Sequence, residues 1–219
     1  MHKERTMLTK LIVRNFKRFG RAEIDLGETV VFIGPNNSGK TTALQALALW
    51  DIGLKAWLEK RGNKAAPEKR PGVAINRKDL VSIPVPSANL LWRGLHVRDV
   101  RVVAPASKAK GTKKETQTSN IRIDVTVEGV TRGVAWSCGF EFDYSNDESF
   151  VVRPIRKACF EKVPVAKAEF TQIPDAVADV KLVYLPPMSG LADREFLKQP
   201  GEIAFLIGQG QTAQVLRNI

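Results

Sequence analysis

The chain has 219 residues and a formal net charge of +11, with hydrophobic content typical of a folded protein. This length is enough for one large or two small domains with an apolar core. No run of 18 apolar residues occurs, which excludes a transmembrane helix, and the charged N-terminus lacks an apolar signal core. We therefore expect a cytoplasmic protein with no membrane partner. The positive charge favours a polyanionic partner, nucleic acid first.

Three short strands are predicted at the start of the chain. Residues 11–19 (LIVRNFKRF) predict an edge-type strand that runs into a turn at Gly20, and residues 22–26 alternate between apolar and acidic side chains. Residues 29–33 (TVVFI) are apolar and rich in β-branched residues, which is typical of a fully buried strand.

A glycine-rich loop follows, because residues 34–42 read GPNNSGKTT and match the pattern GxxxxGK[ST]. Glycines allow backbone N–H groups to point at phosphate oxygens. We expect Lys40 to reach the β- and γ-phosphates, Thr41 to ligate Mg²⁺ and Thr42 to lie near the α-phosphate. A helix predicted over residues 41–60 adds its positive end to the site. An ordinary turn before a helix would not need the lysine and hydroxyl together, so the motif predicts ATP and Mg²⁺ as ligands.

The middle of the chain begins with a basic stretch, and a stretch of strongly alternating apolar and polar residues follows it. Residues 61–86 predict a loop-rich stretch, residues 90–103 one or two strands, and residues 105–120 a loop or hairpin tip. The tip is interpreted either as a contact to the DNA backbone or as a solubility feature. The candidate DNA-binding residues are Lys108, Lys110, Lys113 and Lys114.

An antiparallel meander is the clearest β prediction. Residues 121–128 alternate, a turn is expected at residues 129–133, and a second alternating strand is followed by a turn at 145–148 and a strand at 150–155. Its aromatic side chains could stack on bases, but their regular alternation favours core packing. These side chains are Trp136, Phe140 and Phe142. Cys138 and Cys159 lack a metal-binding spacing and are expected to be reduced thiols.

The C-terminal part predicts a strand over residues 180–185, which Pro186 and Pro187 end, followed by short helices. The last helical pattern reaches Ile219 without a cap, which we would expect of a fragment.

The order of an NFKRF strand, a second strand and the phosphate loop resembles the N-terminal half of the ATPase head of the SMC/RecF/SbcC superfamily. These are ABC-type heads of DNA repair, chromosome-maintenance and phage-defence ATPases. The resemblance implies an α/β P-loop NTPase with an antiparallel β-subdomain, and a second head that sandwiches the ATP. By position, Lys17 and Arg18 would approach the nucleotide. The other implied nucleotide-binding residues are Gly34, Asn36, Asn37, Ser38, Gly39, Lys40, Thr41 and Thr42.

The resemblance also divides the chain. Residues 1–60 would hold the first strands, the Walker A loop and its helix. Residues 61–160 would hold the basic insertion and the meander, and residues 161–219 a strand and the start of a helical lobe. Neither an LSGGQ-type signature nor a Walker B strand with its catalytic carboxylate occurs in the sequence. We therefore expect the chain alone to bind ATP without useful hydrolysis.

Several alternatives stay open at this point. The chain could be the ATPase part of an overcoming-lysogenisation-type nuclease, the ATP-binding subunit of an ABC transporter, or a DNA clamp that binds ATP without hydrolysing it. A partner nuclease is a further possibility that the resemblance suggests. Departures from the family pattern are Asn37, where a glycine is usual, and the missing glutamine after residue 185.

Overall fold

A computed structural model describes residues 6–62, 72–103, 115–155, 173–177 and 180–184. Helix α1 is Lys40–Arg61. The strands in chain order are β1 (Thr6–Phe16), β2 (Phe19–Asp25), β3 (Val73–Asn76), β4 (Arg98–Val103), β5 (Glu115–Asn120), β6 (Ile123–Thr131), β7 (Val134–Asn146) and β8 (Ser149–Pro154). Short 3-10 turns in the described ranges lie at Arg77–Asp79, Ala88–Leu91, Arg93–Leu95 and Asp175–Val177.

Six of the strands form one antiparallel sheet in the order β2-β1-β6-β7-β8-β3. Val13 pairs with Val125, and Val125 pairs with Phe140, so their side chains share one face and all three are buried. The β6–β7 turn has left-handed φ values at Arg132 (55°) and Gly133 (75°), as a two-residue type I′ hairpin requires. The predicted meander is therefore confirmed.

Helix α1 packs against the buried face of the sheet. The indole Nε1 of Trp50 donates a hydrogen bond to the carbonyl oxygen of Cys138 (2.9 Å), and the Trp50 ring stacks on Trp136. A Cβ at Gly53 would lie 3.0 Å from the Phe142 ring, so a glycine lets helix and sheet approach closely. These contacts hold the middle of α1 against the sheet, and the phosphate loop precedes the N-terminal end of the same helix. They also confirm that the meander aromatics are core residues.

Burial also determines the reactivity of Cys138. Cys138 is buried in the core, and this burial raises the pKa of its thiol to about 12. The thiol therefore stays protonated and inert near neutral pH, as expected of a reduced core cysteine.

The strand predicted over residues 29–33 is not present, so this prediction is wrong. The structure assigns no strand there, and Val31 is 74% and Ile33 91% exposed. A buried parallel strand needs hydrogen-bonded neighbours, and among the described residues none pairs with this segment. The strand predicted at 180–185 is wrong for the same reason over the described residues 180–184, where Val183 is 79% exposed.

Three smaller corrections concern the sheet. Strand β1 is interior, between β2 and β6, rather than an edge strand, because pairing with distant β6 covers its second edge. The chain turns at Lys17 and Arg18, before Gly20, since the register pairs Phe16 with Phe19. The short strand β3 lies inside the stretch predicted as loop, and it extends the meander by pairing with β8.

Strands β4 and β5 form a separate two-stranded ribbon. Strand β4 lies in the stretch predicted as one or two strands, whereas β5 lies in the stretch predicted as a loop or hairpin tip, so that prediction is wrong over residues 115–120. The side chains of Val100, Thr118 and Asn120 are exposed on it. The four candidate lysines and the helices predicted after residue 188 lie outside the described residues.

Candidate nucleotide-binding site

The phosphate loop lies directly before α1, as the sequence predicts. Gly39 is the N-cap residue and has a left-handed φ of 105°. A Cβ on Gly39 would lie 2.7 Å from Cε1 of Phe19, which is closer than any real contact, so this position requires glycine for its dihedral angle and for space. Asn37, where the resembling family has glycine, also has a positive φ (67°), which asparagine tolerates better than most residues.

Lys40 is the first residue of α1, and its side chain folds back over the loop. Its Nζ donates hydrogen bonds to the carbonyl oxygens of Gly34 and Pro35, both at 2.7 Å. An ammonium group held in this position covers the interior of the loop. A phosphate oxygen is a stronger acceptor than a neutral carbonyl, because the bond joins opposite charges. The same side chain can therefore exchange its carbonyl partners for an incoming phosphate.

The following residues occupy the first turn of α1. Thr41 is exposed and Thr42 is half-buried. The turn continues into the regular helix, since the Ala43 N–H donates to the Gly39 carbonyl oxygen at 2.9 Å. The positive end of the helix dipole therefore coincides with Gly39 and Lys40, where a bound anion is favoured.

The turn between β1 and β2 lies beside the loop, because the Phe19 ring touches Gly39. Its two basic residues point in different directions. Lys17 is half-buried, its Nζ donates to Oε1 of Gln45 on α1 (2.8 Å), and burial lowers its pKa. Arg18 is exposed. Of the two residues that the resemblance implicates, Arg18 is the one whose side chain faces solvent.

Two residues of this neighbourhood were missed by the sequence analysis. Gln45 accepts the bond from Lys17, and a polar residue within the apolar run Ala43–Trp50 was a signal that could have revealed it. Arg93 lies on the backbone of Gly20, where a Cβ would be 2.1 Å from its Nη1. No local sequence pattern predicts the position of Arg93, because that position depends on how the turn Arg93–Leu95 packs against the β1–β2 turn.

The residues present fit a nucleotide with Mg²⁺ in part. The loop offers a glycine cradle and an ammonium group, and Thr41 is the residue that would ligate the metal. The described residues contain no cluster of three or more histidine, cysteine, aspartate or glutamate side chains that could hold a metal ion. Asp51 follows an apolar run but lies on α1, three turns or roughly 16 Å from Lys40. It is buried and paired with Lys55, so it cannot serve this loop.

These features are typical of a phosphate-binding loop, and the segment lies in the chain between strand β2 and helix α1. The comparison with protein families agrees: the model for the AAA ATPase domain matches residues 7–127, which is more than half of the chain. The chain therefore belongs to the AAA ATPase domain family. Membership supports ATP binding, usually with Mg²⁺, and an α/β ATPase fold.

The other comparisons found nothing similar: no curated protein and no solved structure matches the chain. Within the described ranges, no helix has the length and apolar character needed to cross a bilayer.

Proposed function

We propose that the chain binds ATP with Mg²⁺ at residues 34–42 and forms the N-terminal half of an SMC/RecF/SbcC-like ATPase head that acts on DNA. The observation that carries the proposal is the geometry at Gly39 and Lys40. A glycine at a position where any other side chain would be strained and an ammonium group bonded to the loop carbonyls meet at the N-terminus of a core helix. An ordinary turn needs neither feature.

The half-head interpretation is supported by apolar side chains that are largely exposed to solvent. Val31, Ile33 and Val183 are each more than 70% exposed, although their sequence is typical of interior parallel strands. Further strands laid beside these segments would bury them.

The chemistry then separates into binding and hydrolysis. Lys40, Thr41 and the loop N–H groups hold the phosphates in the ground state and in the transition state alike, and such uniform binding does not accelerate the reaction. Hydrolysis also needs a carboxylate that orients the attacking water and a further charge at the γ-phosphate. On this proposal both come from outside the residues of this chain.

The test of nucleotide binding is Lys40→Ala, measured by calorimetry with ATP and Mg²⁺. We expect the affinity to fall at least about tenfold, because a charge-assisted contact to phosphate is lost. Lys60→Ala is the matched control, since Lys60 is an exposed lysine at the other end of the same helix. Equal ATP affinity of the Lys40→Ala variant and the parent would contradict the proposal.

DNA as the partner is supported by the charge of +11 and by the exposed β4–β5 ribbon, whose connection carries four lysines and no acidic residue between residues 104 and 114. Phosphate contacts release counterions, so affinity should fall steeply with salt. Replacing Lys108, Lys110, Lys113 and Lys114 by Ser should lower the slope of log K against log salt by up to about four.

The control for this experiment removes Lys60, Lys78 and Lys181, which are exposed lysines on other parts of the molecule. The change in slope per charge removed should be clearly smaller for the control. An equal change per charge would mean that net charge alone attracts DNA and that the ribbon is no specific contact.

A further inference from the structure

We propose that the β4–β5 ribbon enters the major groove of duplex DNA, with the face that carries Arg98 and Asn120 towards the base edges. This inference rests on the function proposed above and names the part of the DNA that is contacted. The register pairs Arg98 with Asn120 across the two strands. Val100 and Thr118 form the next pair on the same face, because side chains alternate along a strand. All four side chains are exposed.

Burial of apolar surface does not account for this ribbon. Val100 is 59% exposed, and Thr116 and Thr118 on the neighbouring strand are exposed as well. Ser119, which alternation places on the opposite face, is also exposed. A two-stranded ribbon without a buried apolar face is marginally stable at best in water. A ribbon of this kind is therefore suited to contacts with a polar partner rather than to packing in a core.

One end of the ribbon is anchored to the core. The backbone N–H of Ile121 donates a hydrogen bond to the carbonyl oxygen of Val97 (3.0 Å), which extends the pairing of the two strands. The indole Nε1 of Trp92 donates to the carbonyl oxygen of Ile121 at 2.6 Å. Trp92 is itself buried, and its ring packs edge-on against Phe150. The ribbon is therefore held in place at this end, while the side chains that it would offer to DNA remain exposed.

The charge of this part of the chain favours a polyanion. Residues 93–120 contain seven basic and two acidic residues, a net charge of +5 out of +11 for the whole chain. One of the two acids, Asp99, is half-buried and follows Arg98, so alternation places it on the opposite face. No position on the Arg98 face of either strand carries an acidic residue. This face therefore combines positive charge with uncharged hydrogen-bonding groups, which suits the edges of bases between two phosphate backbones.

The dimensions of a two-stranded ribbon match the major groove. Neighbouring strands lie about 4.8 Å apart, and the major groove of B-form DNA is about 12 Å wide, so it admits a two-stranded ribbon. Side chains two residues apart on one strand are separated by roughly 6.8 Å, which is about the rise of two base pairs. The minor groove is only about 6 Å wide and would have to open to admit two paired strands.

The side chains on this face have the chemistry for contacts in the major groove. An asparagine amide pairs with N6 and N7 of adenine, and an arginine guanidinium pairs with O6 and N7 of guanine. Asn120 and Arg98 supply these two groups side by side. The methyl groups of Thr118 and Val100, in the next pair, can contact the C5-methyl group of thymine.

The first test compares two DNA duplexes of the same length and sequence by fluorescence anisotropy at one salt concentration. In one duplex every cytosine carries a glucosyl group on a hydroxymethyl group at C5, a position that lies in the major groove. Both duplexes have the same phosphate charge. We expect the parent protein to bind the modified duplex at least about tenfold more weakly, because the sugars occupy the space that the ribbon needs.

The second test removes one amide from the proposed contact face. Asn120→Ala should weaken binding to the unmodified duplex roughly fivefold or more. The matched control is Ser119→Ala, the neighbouring exposed residue on the opposite face, which should change the affinity less than about twofold. Neither substitution removes a charge, so the slope of log K against log salt should stay that of the parent.

The outcomes separate this inference from the proposed function. Equal affinity of the parent for the two duplexes would overturn the groove contact and leave DNA binding through phosphates intact. Equal effects of Asn120→Ala and Ser119→Ala would overturn the assignment of the contact face. Dimers in light scattering that Val100→Lys abolishes would show that the ribbon binds a second copy of the chain instead. Absence of DNA binding by the parent protein would overturn the proposed role on DNA and this inference with it.

Discussion

The six-stranded sheet and the segment between β2 and α1 both contain runs of β-branched and aromatic residues, yet only the sheet buries them. Val125 and Phe140 are completely buried on neighbouring strands, whereas Val31 and Ile33 are largely exposed. The difference is in the origin of the partner strands. The meander strands β6, β7 and β8 pair through hairpins with their sequence neighbours, but a parallel strand needs partners from distant parts of the chain.

The comparison shows that apolar composition alone does not fix burial. A strand becomes part of a core only when its backbone groups and both of its faces find partners. The described residues supply those partners to the meander and leave the segment before the phosphate loop open. The proposed nucleotide site therefore borders a packed region, formed by α1 and the β1–β2 turn, and an exposed segment, residues 29–33.

The largest expected difference is in the free energy of unfolding when one side chain in each region is replaced by alanine. Phe142→Ala removes a fully buried ring that packs edge-on against Phe150 and touches Gly53. We expect a loss of about 3–5 kcal/mol in the free energy of unfolding, since a cavity replaces the ring. Ile33→Ala, in contrast, should change stability by less than about 0.5 kcal/mol because the side chain is 91% exposed.

Urea unfolding followed by fluorescence and circular dichroism measures both variants. A large loss of stability in Ile33→Ala would show that this segment is buried in solution and would break the comparison. A small loss in Phe142→Ala would show that the meander core is looser than its packing indicates.

A smaller effect is expected from the outer face of the sheet. Burial, together with the neighbouring charge of Glu141, raises the pKa of Asp124 from 3.8 to about 6, although Arg14 and Arg122 oppose the shift. A carboxyl group with a raised pKa binds more protons in the folded state. Its contribution to stability is therefore full below about pH 4 and is lost as the pH rises through 6.

Asp124→Asn removes this dependence. At pH 8 the variant should be more stable than the parent by about 2 kcal/mol, and the difference should disappear near pH 4. Urea unfolding at the two pH values measures it. Asp25→Asn is the matched control on the same sheet, because its side chain is 91% exposed and its ion pair with Lys10 is long at 3.8 Å. An Asp124→Asn variant that is less stable than the parent at pH 8 would mean that the carboxylate is needed by its arginine neighbours.

Two parts of the fold could be predicted from the sequence because their signals are local. The alternation of residues 121–128 indicated β6, and the GPNNSGKTT motif indicated the loop and the start of α1 within a residue or two. Positions that depend on distant partners could not be predicted in this way. The interior place of β1 requires β6, and the position of Arg93 requires packing on Gly20.

Single side chains of the proposed nucleotide site also could not be predicted where their positions depend on distant partners. The family resemblance indicated that the β1–β2 turn approaches the loop, and the contact of Phe19 with Gly39 places it there. The direction of Lys17 towards Gln45 was not predictable, because it depends on how α1 packs across the turn. Spacing in a motif fixes which residues are near a phosphate, whereas tertiary packing decides which of them face it.

The pairing of β1 with β6 has a consequence for biosynthesis. Thr6 and Thr131, whose hydroxyls bond across this pair, are 125 residues apart in the chain. During translation β1 must remain unpaired on that side until β6 has left the ribosome, and closing so long a loop slows folding. Because α1 packs on a sheet that is incomplete until then, its apolar surface is exposed to aggregation in the meantime. A nascent chain that stops before residue 131 lacks part of β6, which lies in the middle of the sheet. The proposed nucleotide-binding loop is therefore synthesised before the sheet that supports α1 can form.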